Sequence, residues 1–408
     1  MDKALFDAYV KKVIDVVMRD VRLSFAVSQT LFSSHQIDIG TTHLLKTLQD
    51  DVTTESRRIL DVGCGYGPIG LTLGRLLPHS ELHLVDRDAL ALVFARHNAE
   101  LNGIDGVCVY GSLGYDHVEA RDFDLIVSNI PGKAGDEVIH SLLHDARNYL
   151  APGGTVAVVV VSPLESLVME SLTQPDIEIV RHETLAAHAV FHYRFTASPE
   201  EGETPSAAVD RGVYHRESLA FVFDELTMTM QTAQGLPEFD TLSFQTTLLL
   251  KALHDLQIED VEEAAVFHPG QGHVPIAVWK TLAPRRLHLV DRDLLSLRYA
   301  KLNLVDNGAN HEQLEVHHQV ALVPERGTMD LVVGVLREEE GPEAIEQALI
   351  QAASSLSSHG QLLIVGSSTP ITRALKSKEL SRYLRLLKRK RHKGNSVALL
   401  QSRGSASG

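Results

Sequence analysis

Ile59-Leu60-Asp61-Val62-Gly63-Cys64-Gly65-Tyr66-Gly67-Pro68-Ile69-Gly70 decides how the rest of the chain is read. An apolar run, glycines at alternate positions and then a proline predict a short strand, a tight turn and the start of a helix. Gly63, Gly65 and Gly67 carry no Cβ, so the backbone can bend sharply and come close to a ligand. Pro68 suits the first helical turn, where a missing N–H costs little. This strand–turn–helix unit is the ligand-binding corner of a doubly wound α/β sheet. The dinucleotide fingerprint needs its third glycine one position later, where Pro68 stands, so the match to it is poor. Asp61 puts a carboxylate before the turn, unwelcome to a pyrophosphate and better suited to an ammonium group. Leu84-Val85-Asp86 ends a second strand in an acid, at the spacing expected of a ribose-binding carboxylate.

Composition sets the frame. A chain of 408 residues exceeds one ordinary domain, and its 44% hydrophobic content can fill two cores. No apolar run approaches the ~20 residues of a membrane-spanning helix. Residues 1–20 mix charged residues with valines and lack the apolar core of a signal peptide. With only Cys64 and Cys108 present, a disulfide framework is excluded and a cytoplasmic protein is expected. The formal charge of −15, concentrated in residues 1–196, argues against nucleic acid as a general partner, although local patches decide such binding.

Along the chain, residues 21–27 alternate as a half-buried strand. A helix follows over about 43–48, with Thr41 or Thr42 as its cap. Beyond the glycine turn come a strand at 81–85, a helix over 89–102 stopped by Asn102-Gly103, and strands at 107–110 and 123–129. A helix over about 137–150 precedes an almost wholly apolar strand at 155–161 and a last strand at 189–195. Residues 197–222 are polar and rich in turn formers, as a linker would be.

The pattern then restarts. His83-Leu84-Val85-Asp86-Arg87-Asp88 recurs unchanged as His288-Leu289-Val290-Asp291-Arg292-Asp293, and at the same offset Thr41-Thr42 meets Thr246-Thr247. Asn98 meets Asn303, and Asn102-Gly103 meets Asn307-Gly308. A constant register over this span indicates an internal duplication. The copies are unequal: Asp61 aligns with Val266, Gly63 with His268, and Asn129-Ile130-Pro131-Gly132 with Val335-Leu336-Arg337-Glu338. The expected architecture is therefore α/β, two tandem Rossmann-like domains. Residues 1–196 form the live copy, 197–222 the linker, 223–404 a degenerate copy and 405–408 a tail.

Asp61, the glycine turn and Asp86 together resemble the class I S-adenosylmethionine-dependent methyltransferases. In that family the glycine turn approaches the methionine part of the cofactor, and the acid ending the second strand holds the ribose hydroxyls. Phe32-Ser33, the run Ile37-Asp38-Ile39-Gly40-Thr41 and the loop Ser128-Asn129-Ile130-Pro131 narrow the resemblance to the methyltransferase small family. Its two-domain members include ribosomal RNA guanine-N2 methyltransferases built from one live and one degenerate copy. The resemblance implies S-adenosyl-L-methionine as cofactor, with Asp61, Gly63, Gly65, Gly67, Asp86, Arg87, Ser112 and Thr41 as its site. Asn129, Ile130 and Pro131 are implied as the catalytic loop. An exocyclic amine would give its N–H groups to the Asn129 side-chain oxygen and the Ile130 carbonyl. Two features depart from the family. The live copy is usually C-terminal but lies first here. The amine-methylating signature has an aromatic where this chain has Gly132.

The expected function is N-methylation of an exocyclic amine in ribosomal or other structured RNA. A protein side chain or small metabolite is the alternative substrate, and a non-catalytic cofactor-binding scaffold is the third reading. The basic stretch from Arg373 to Lys393 is the candidate RNA contact, with a solvated basic edge as the plain alternative. No metal is expected: His140 and His144 are four apart, but Ser141-Leu142-Leu143 between them lacks a zincin's glutamate. Cys64 reads as a packing residue, and Lys133 as a solvated loop residue.

Overall fold

The computed structural model describes residues 1–33, 36–48, 58–197, 206–256, 258–321 and 327–404. The chain divides into two compact units, one of Val10–His215 and the other of Met1–Tyr9 with Arg216–Gly408. The short helix α1 (Lys3–Tyr9) thus groups with the C-terminal half.

In the first unit, β1 (Lys12–Met18) and β2 (Val21–Val27) form an antiparallel hairpin apart from the main sheet. The helix α2 (Ile39–Thr47) begins earlier than its hydrophobic pattern suggested. Its cap is Asp38, not Thr41 or Thr42: Asp38 sits in extended backbone and its Oδ2 accepts the Thr41 N–H at 3.1 Å. Then follow β3 (Arg58–Val62), α3 (Pro68–Leu76), β4 (Glu81–Asp86), α4 (Ala89–Leu101), β5 (Val107–Gly111) and β6 (Phe123–Asn129). The helix α5 (Asp136–His144) is shorter than expected, because a 3-10 turn over Asp145–Asn148 and then β7 (Leu150–Val161) take the remainder. A helix α6 (Glu165–Leu172) leads to β8 (Ile177–Thr184) and β9 (His188–Phe195). The sequence reading missed β8, an edge strand with an alternating, mostly polar face.

The sheet order is β5-β4-β3-β6-β7-β9-β8, parallel from β5 to β7 and antiparallel beyond. Leu60, Ile126, Val158 and Phe191 from its inner strands are buried in one core with Ile139 and Val168 of α5 and α6. The chain order reverses at β3, so the carboxyl ends of β3, β4 and β6 open one crevice, the usual ligand position in such sheets.

The second unit repeats this plan. A hairpin of β10 (His215–Phe223) and β11 (Leu226–Ala233) precedes α7 (Phe244–His254), β12 (Glu263–Phe267), α8 (His273–Leu282), β13 (Arg286–Asp291), α9 (Leu294–Asp306) and β14 (Leu314–His318). Next come β15 (Met329–Val335), α10 (Pro342–Ser355), β16 (Leu356–Ser367), α11 (Ser368–Ala374), α12 (Leu380–Tyr383), β17 (Leu384–His392) and β18 (Asn395–Ser402). Its sheet order, β14-β13-β12-β15-β16-β18-β17, is that of the first unit. The strand β10 occupies the end of the segment expected as a linker, since it answers to β1, whose counterpart the sequence reading had not assigned. The basic stretch runs from the end of α11 through α12 into β17, the sheet edge, which carries five of its ten Lys and Arg residues.

Duplication reaches individual hydrogen bonds. Asn98 accepts from Ala26 N–H at 2.8 Å and donates to the carbonyls of Ala26 and Tyr66. Asn303 accepts from Gln231 N–H at 2.7 Å and donates to Gln231 and Gln271. In both units a buried asparagine pins the hairpin and the glycine turn to the third long helix, satisfying backbone groups that burial would otherwise orphan.

Candidate active site

The glycine turn in the first unit is built as its sequence requires. Gly63, Gly65 and Gly67 have φ of 74°, 56° and 95°, a region costly for residues with a Cβ. A Cβ on Gly63 or Gly65 would meet nothing within 4 Å, whereas one on Gly67 would lie 2.7 Å from Leu71 Cδ1. The first two glycines thus face open space, and the third lets α3 close against the turn. The amides of Gly63 and Cys64 both donate to the Val85 carbonyl, and Gly65 donates to Asp86 Oδ2 at 2.9 Å.

Asp61 is wholly buried at the end of β3. Its Oδ2 accepts the Gly70 N–H at 2.8 Å, while Oδ1 is buried without a partner. Burial pushes this carboxyl up to about 7, against the pull of the Gly70 N–H and with a further push from Asp86. A buried carboxylate oxygen with no donor, beside a glycine turn with open space in front, fits a ligand ammonium group. Asp86 is raised to about 6 by burial and Asp88, opposed by the N–H groups of Asp88 and Gly65 and by Arg87. Its carboxylate is oriented by those two N–H groups, from Gly65 onto Oδ2 and Asp88 onto Oδ1, each at 2.9 Å. Carboxylate oxygens accept more than one bond each, leaving room for ribose hydroxyls.

Ser112 is drawn to the same edge, its N–H donating to the Asp86 carbonyl at 3.0 Å. Its hydroxyl donates to the Gly114 carbonyl and accepts from His117 N–H, so it shapes the loop. Cys64 is buried, and burial, with Asp86 and Asp61 nearby, pushes its thiol well up; the helix start does not activate it.

Asn129 ends β6. Its Nδ2 donates to Asp38 Oδ2 and to Thr41 Oγ1, both at 3.0 Å. Because Asp38 offers only acceptors, the amide orientation is fixed, and the side-chain oxygen is the atom left to receive a substrate N–H. Thr41 is therefore joined to Asn129 through its hydroxyl. Sequence reasoning gave Asp38 no site role beyond its place in the run Ile37-Asp38-Ile39-Gly40-Thr41, immediately before α2. A Cβ on Gly40 would lie 2.7 Å from His188 Cδ2 and 2.8 Å from Asp38 Oδ2, so Gly40 admits both side chains. Ile130 is buried and its N–H continues the sheet to the Val159 carbonyl, while Pro131, Gly132 and Lys133 are exposed. Tyr66 Oη donates to the Ser33 carbonyl at 3.3 Å, tying the turn that carries Phe32, 70% exposed, to the glycine turn. His140 Nδ1 and His144 Nε2 both bond Ser171 Oγ, a structural bridge between α5 and α6.

The corresponding corner of the second unit is filled by its own side chains. Asp291, equivalent to Asp86, is buried and meets the Arg337 guanidinium through both oxygens, at 3.2 and 3.0 Å, with Ser296 Oγ at 2.8 Å. Burial alone would raise the Asp291 carboxyl, but Arg337 and His268 outweigh it and hold it low. His268 keeps the positive φ of Gly63, at 52°, and its Nδ1 donates to the Val335 carbonyl at 2.8 Å. A Cβ on Gly334 would lie 2.4 Å from the Phe267 ring, so that aromatic lies directly against the strand.

Comparison with known proteins bears on the family and the fold. The family model described as "Methyltransferase small domain" matches residues 22–180 and 227–393. The uncharacterized protein YbxB of Bacillus subtilis is 32% identical over 144 residues, covering 35% of this chain and 71% of that one. Ribosomal RNA small subunit methyltransferase C of Hahella chejuensis is 37% identical over 133 residues, 32% of this chain and 37% of that protein's length. The chain thus spans under half of that relative. A solved structure of the T. Thermophilus 16S rRNA N2 G1207 methyltransferase (RsmC), in complex with AdoMet and guanosine, aligns over 98% of this chain and all of that one. Its TM-score is 0.62 at 18% identity, a likeness of fold.

Proposed function

Because the chain belongs to the methyltransferase small domain family, and is thereby a class I S-adenosylmethionine-dependent methyltransferase, we propose that it methylates the exocyclic amine of a guanine in ribosomal RNA. The reading is carried by one observation: Asn129 has both amide hydrogens committed to Asp38 and Thr41. Its oxygen is therefore held as an acceptor at the carboxyl edge of the sheet, beside the glycine turn.

S-adenosylmethionine supplies an electrophilic methyl carbon on a sulfonium, which leaves the protein with positioning and charge placement. Asp61 Oδ1 takes the cofactor ammonium, Gly63 and Gly65 leave the space its methionine part occupies, and Asp86 takes the ribose hydroxyls. Arg87, next to Asp86, and Ser112, whose N–H donates to the Asp86 carbonyl, complete the cofactor site. Asn129 Oδ1 and the Ile130 carbonyl each accept one N–H of the amine, favouring the nitrogen as it becomes tetrahedral. Pro131 stiffens the loop. The exposed ring of Phe32 supplies the stacking face that Gly132 cannot, worth about 1–3 kcal/mol. The first unit does this chemistry, in the cytoplasm. The second, its corner closed by Arg337 on Asp291, takes no cofactor.

For RNA contact, β17 offers the exposed Lys388 and Arg391 along one sheet edge, one on each face. Other cations of the stretch are engaged locally: Arg373 pairs with Glu343, Lys390 with Asp255, Arg385 bonds Gln401, and Arg389 bonds Thr372 and Ser396.

The test is transfer of labelled methyl from S-adenosylmethionine to small-subunit ribosomal RNA, free or in subunits, with wild type, Asp86→Ala and Asn129→Ala. The proposal expects N2-methylguanosine from wild type alone and cofactor binding intact in Asn129→Ala. Methyl transfer only to protein or small metabolites would replace the substrate. Full biological function in Asn129→Ala, lost in Asp86→Ala, would leave a cofactor-binding scaffold.

A further inference from the structure

On the second unit's sheet, away from the filled corner, three side chains from two adjacent strands converge. His288 projects from β13, Glu315 and His317 from β14, two residues apart and so on one face. His288 Nδ1 lies 3.0 Å from His317 Nε2 and 3.4 Å from Glu315 Oε2, and His317 Nε2 is 3.8 Å from that same oxygen. A point equidistant from the three atoms is about 2.0 Å from each, the bond length of imidazole nitrogen or carboxylate oxygen to zinc. We infer that His288, Glu315 and His317 form a binding site for a divalent transition-metal ion of the zinc class.

The surroundings orient these donors. His288 Nε2 is 2.8 Å from Glu263 Oε2, which fixes the tautomer with the proton on Nε2 and a lone pair on Nδ1, toward the other donors. The other Glu263 oxygen faces Arg285 and Arg286, at 3.6 and 3.7 Å. Glu315 divides its oxygens similarly: Oε1 pairs with Arg286 at 3.0 Å, leaving Oε2 for the ion. His288 is buried, whereas His317 and Glu315 keep side-chain exposures of 26% and 40%. An ion can therefore enter from solvent, and a water can complete a tetrahedron. Two imidazoles and one carboxylate suit zinc over magnesium or calcium, which prefer all-oxygen shells.

The first unit is a built-in control. Strand register places Cys108 and Tyr110 where the second unit has Glu315 and His317, and Arg58 where it has Glu263. There His83 Nδ1 meets only the Tyr110 hydroxyl, at 3.0 Å. One copy thus holds a histidine–tyrosine hydrogen bond where the other gathers donors. Since β14 is the sheet edge, an ion spanning β13 and β14 would clamp an edge strand that is otherwise open to pairing.

The full chain, stripped with a chelator and dialysed, is titrated by calorimetry with zinc sulfate alone, and separately with cobalt(II) for its visible spectrum. Wild type should bind one equivalent tightly and give the absorption of tetrahedral cobalt. His317→Tyr, which restores the first unit's residue, and Glu315→Gln should lose the tight site and the spectrum with circular dichroism unchanged. Glu263→Gln should weaken binding about 10–100-fold. Any weak binding shared by all variants belongs to the other histidines. Wild type and His317→Tyr with the same isotherm, or no stoichiometric site in wild type, would overturn the inference.

Discussion

Asp61→Asn should make the cofactor-free protein more stable at pH 8 while removing its affinity for S-adenosylmethionine. The carboxyl rises from 3.8 to about 7 on folding, chiefly by burial. The folded state thus holds this proton more tightly than the unfolded chain. Stability from this group is greatest below the unfolded value and is lost as pH rises through the folded one. A shift of about 3 units amounts to about 4 kcal/mol against the folded state above pH 7. Asparagine carries no charge, and its oxygen can keep the Gly70 N–H. Its amide nitrogen then occupies the partnerless Oδ1 position, costing about 1–3 kcal/mol for an unmet donor. The variant should therefore gain about 1–3 kcal/mol at pH 8. At pH 5 most of the wild-type penalty is gone, and the two proteins should be about equal or the variant slightly weaker. The assay is urea unfolding at both pH values, reading the transition that S-adenosylmethionine shifts, since that transition reports the first unit. With the cofactor at a hundred times its Kd, wild type should rise by about 2.7 kcal/mol and the variant by almost nothing. If the advantage of the variant at pH 8 is no larger than at pH 5, the buried charge is not the source of the penalty.

Cofactor affinity of the wild type should fall by about tenfold per pH unit below 7, because Asp61 must be ionised to meet the ammonium; calorimetry from pH 8 to pH 5.5 measures this, and a flat profile refutes it. Asp38→Ala should lower kcat for methyl transfer by freeing the Asn129 amide, leave the cofactor Kd nearly unchanged and cost about 1 kcal/mol through the lost cap of α2. Arg337→Ala should destabilise the second unit by about 3–5 kcal/mol, since Asp291 would remain buried without its countercharge, as differential scanning calorimetry would record. Lys388→Ala or Arg391→Ala should each reduce the salt dependence of RNA binding by about one counterion, and an unchanged slope would remove β17 from the RNA contact.

The parts of this protein legible in its sequence were those whose chemistry is local. The glycine turn announces itself because positive φ demands glycine at fixed neighbours, and Asp61 and Asp86 are legible because one stands a residue before the end of β3 and the other ends β4. The duplication was visible because buried asparagines, helix stops and strand cores recur in one register, and the matching bonds of Asn98 and Asn303 show why those residues persisted. Tertiary structure decided what depends on residues far apart in the chain. Asn129 acquires its direction from Asp38, 91 positions away, and no spacing rule links the two. The closed corner of the second unit is another such case: losing Gly63 and Asp61 was readable, but the return of Arg337 to Asp291 across 46 positions was not. The imidazole–carboxylate cluster is further removed still, since His288, Glu315 and His317 form no motif in order and meet only because β13 and β14 lie side by side. Sequence specifies backbone geometry and burial one element at a time. Which side chains face one another across elements is set by strand order and register, and those exist only once the sheet has formed.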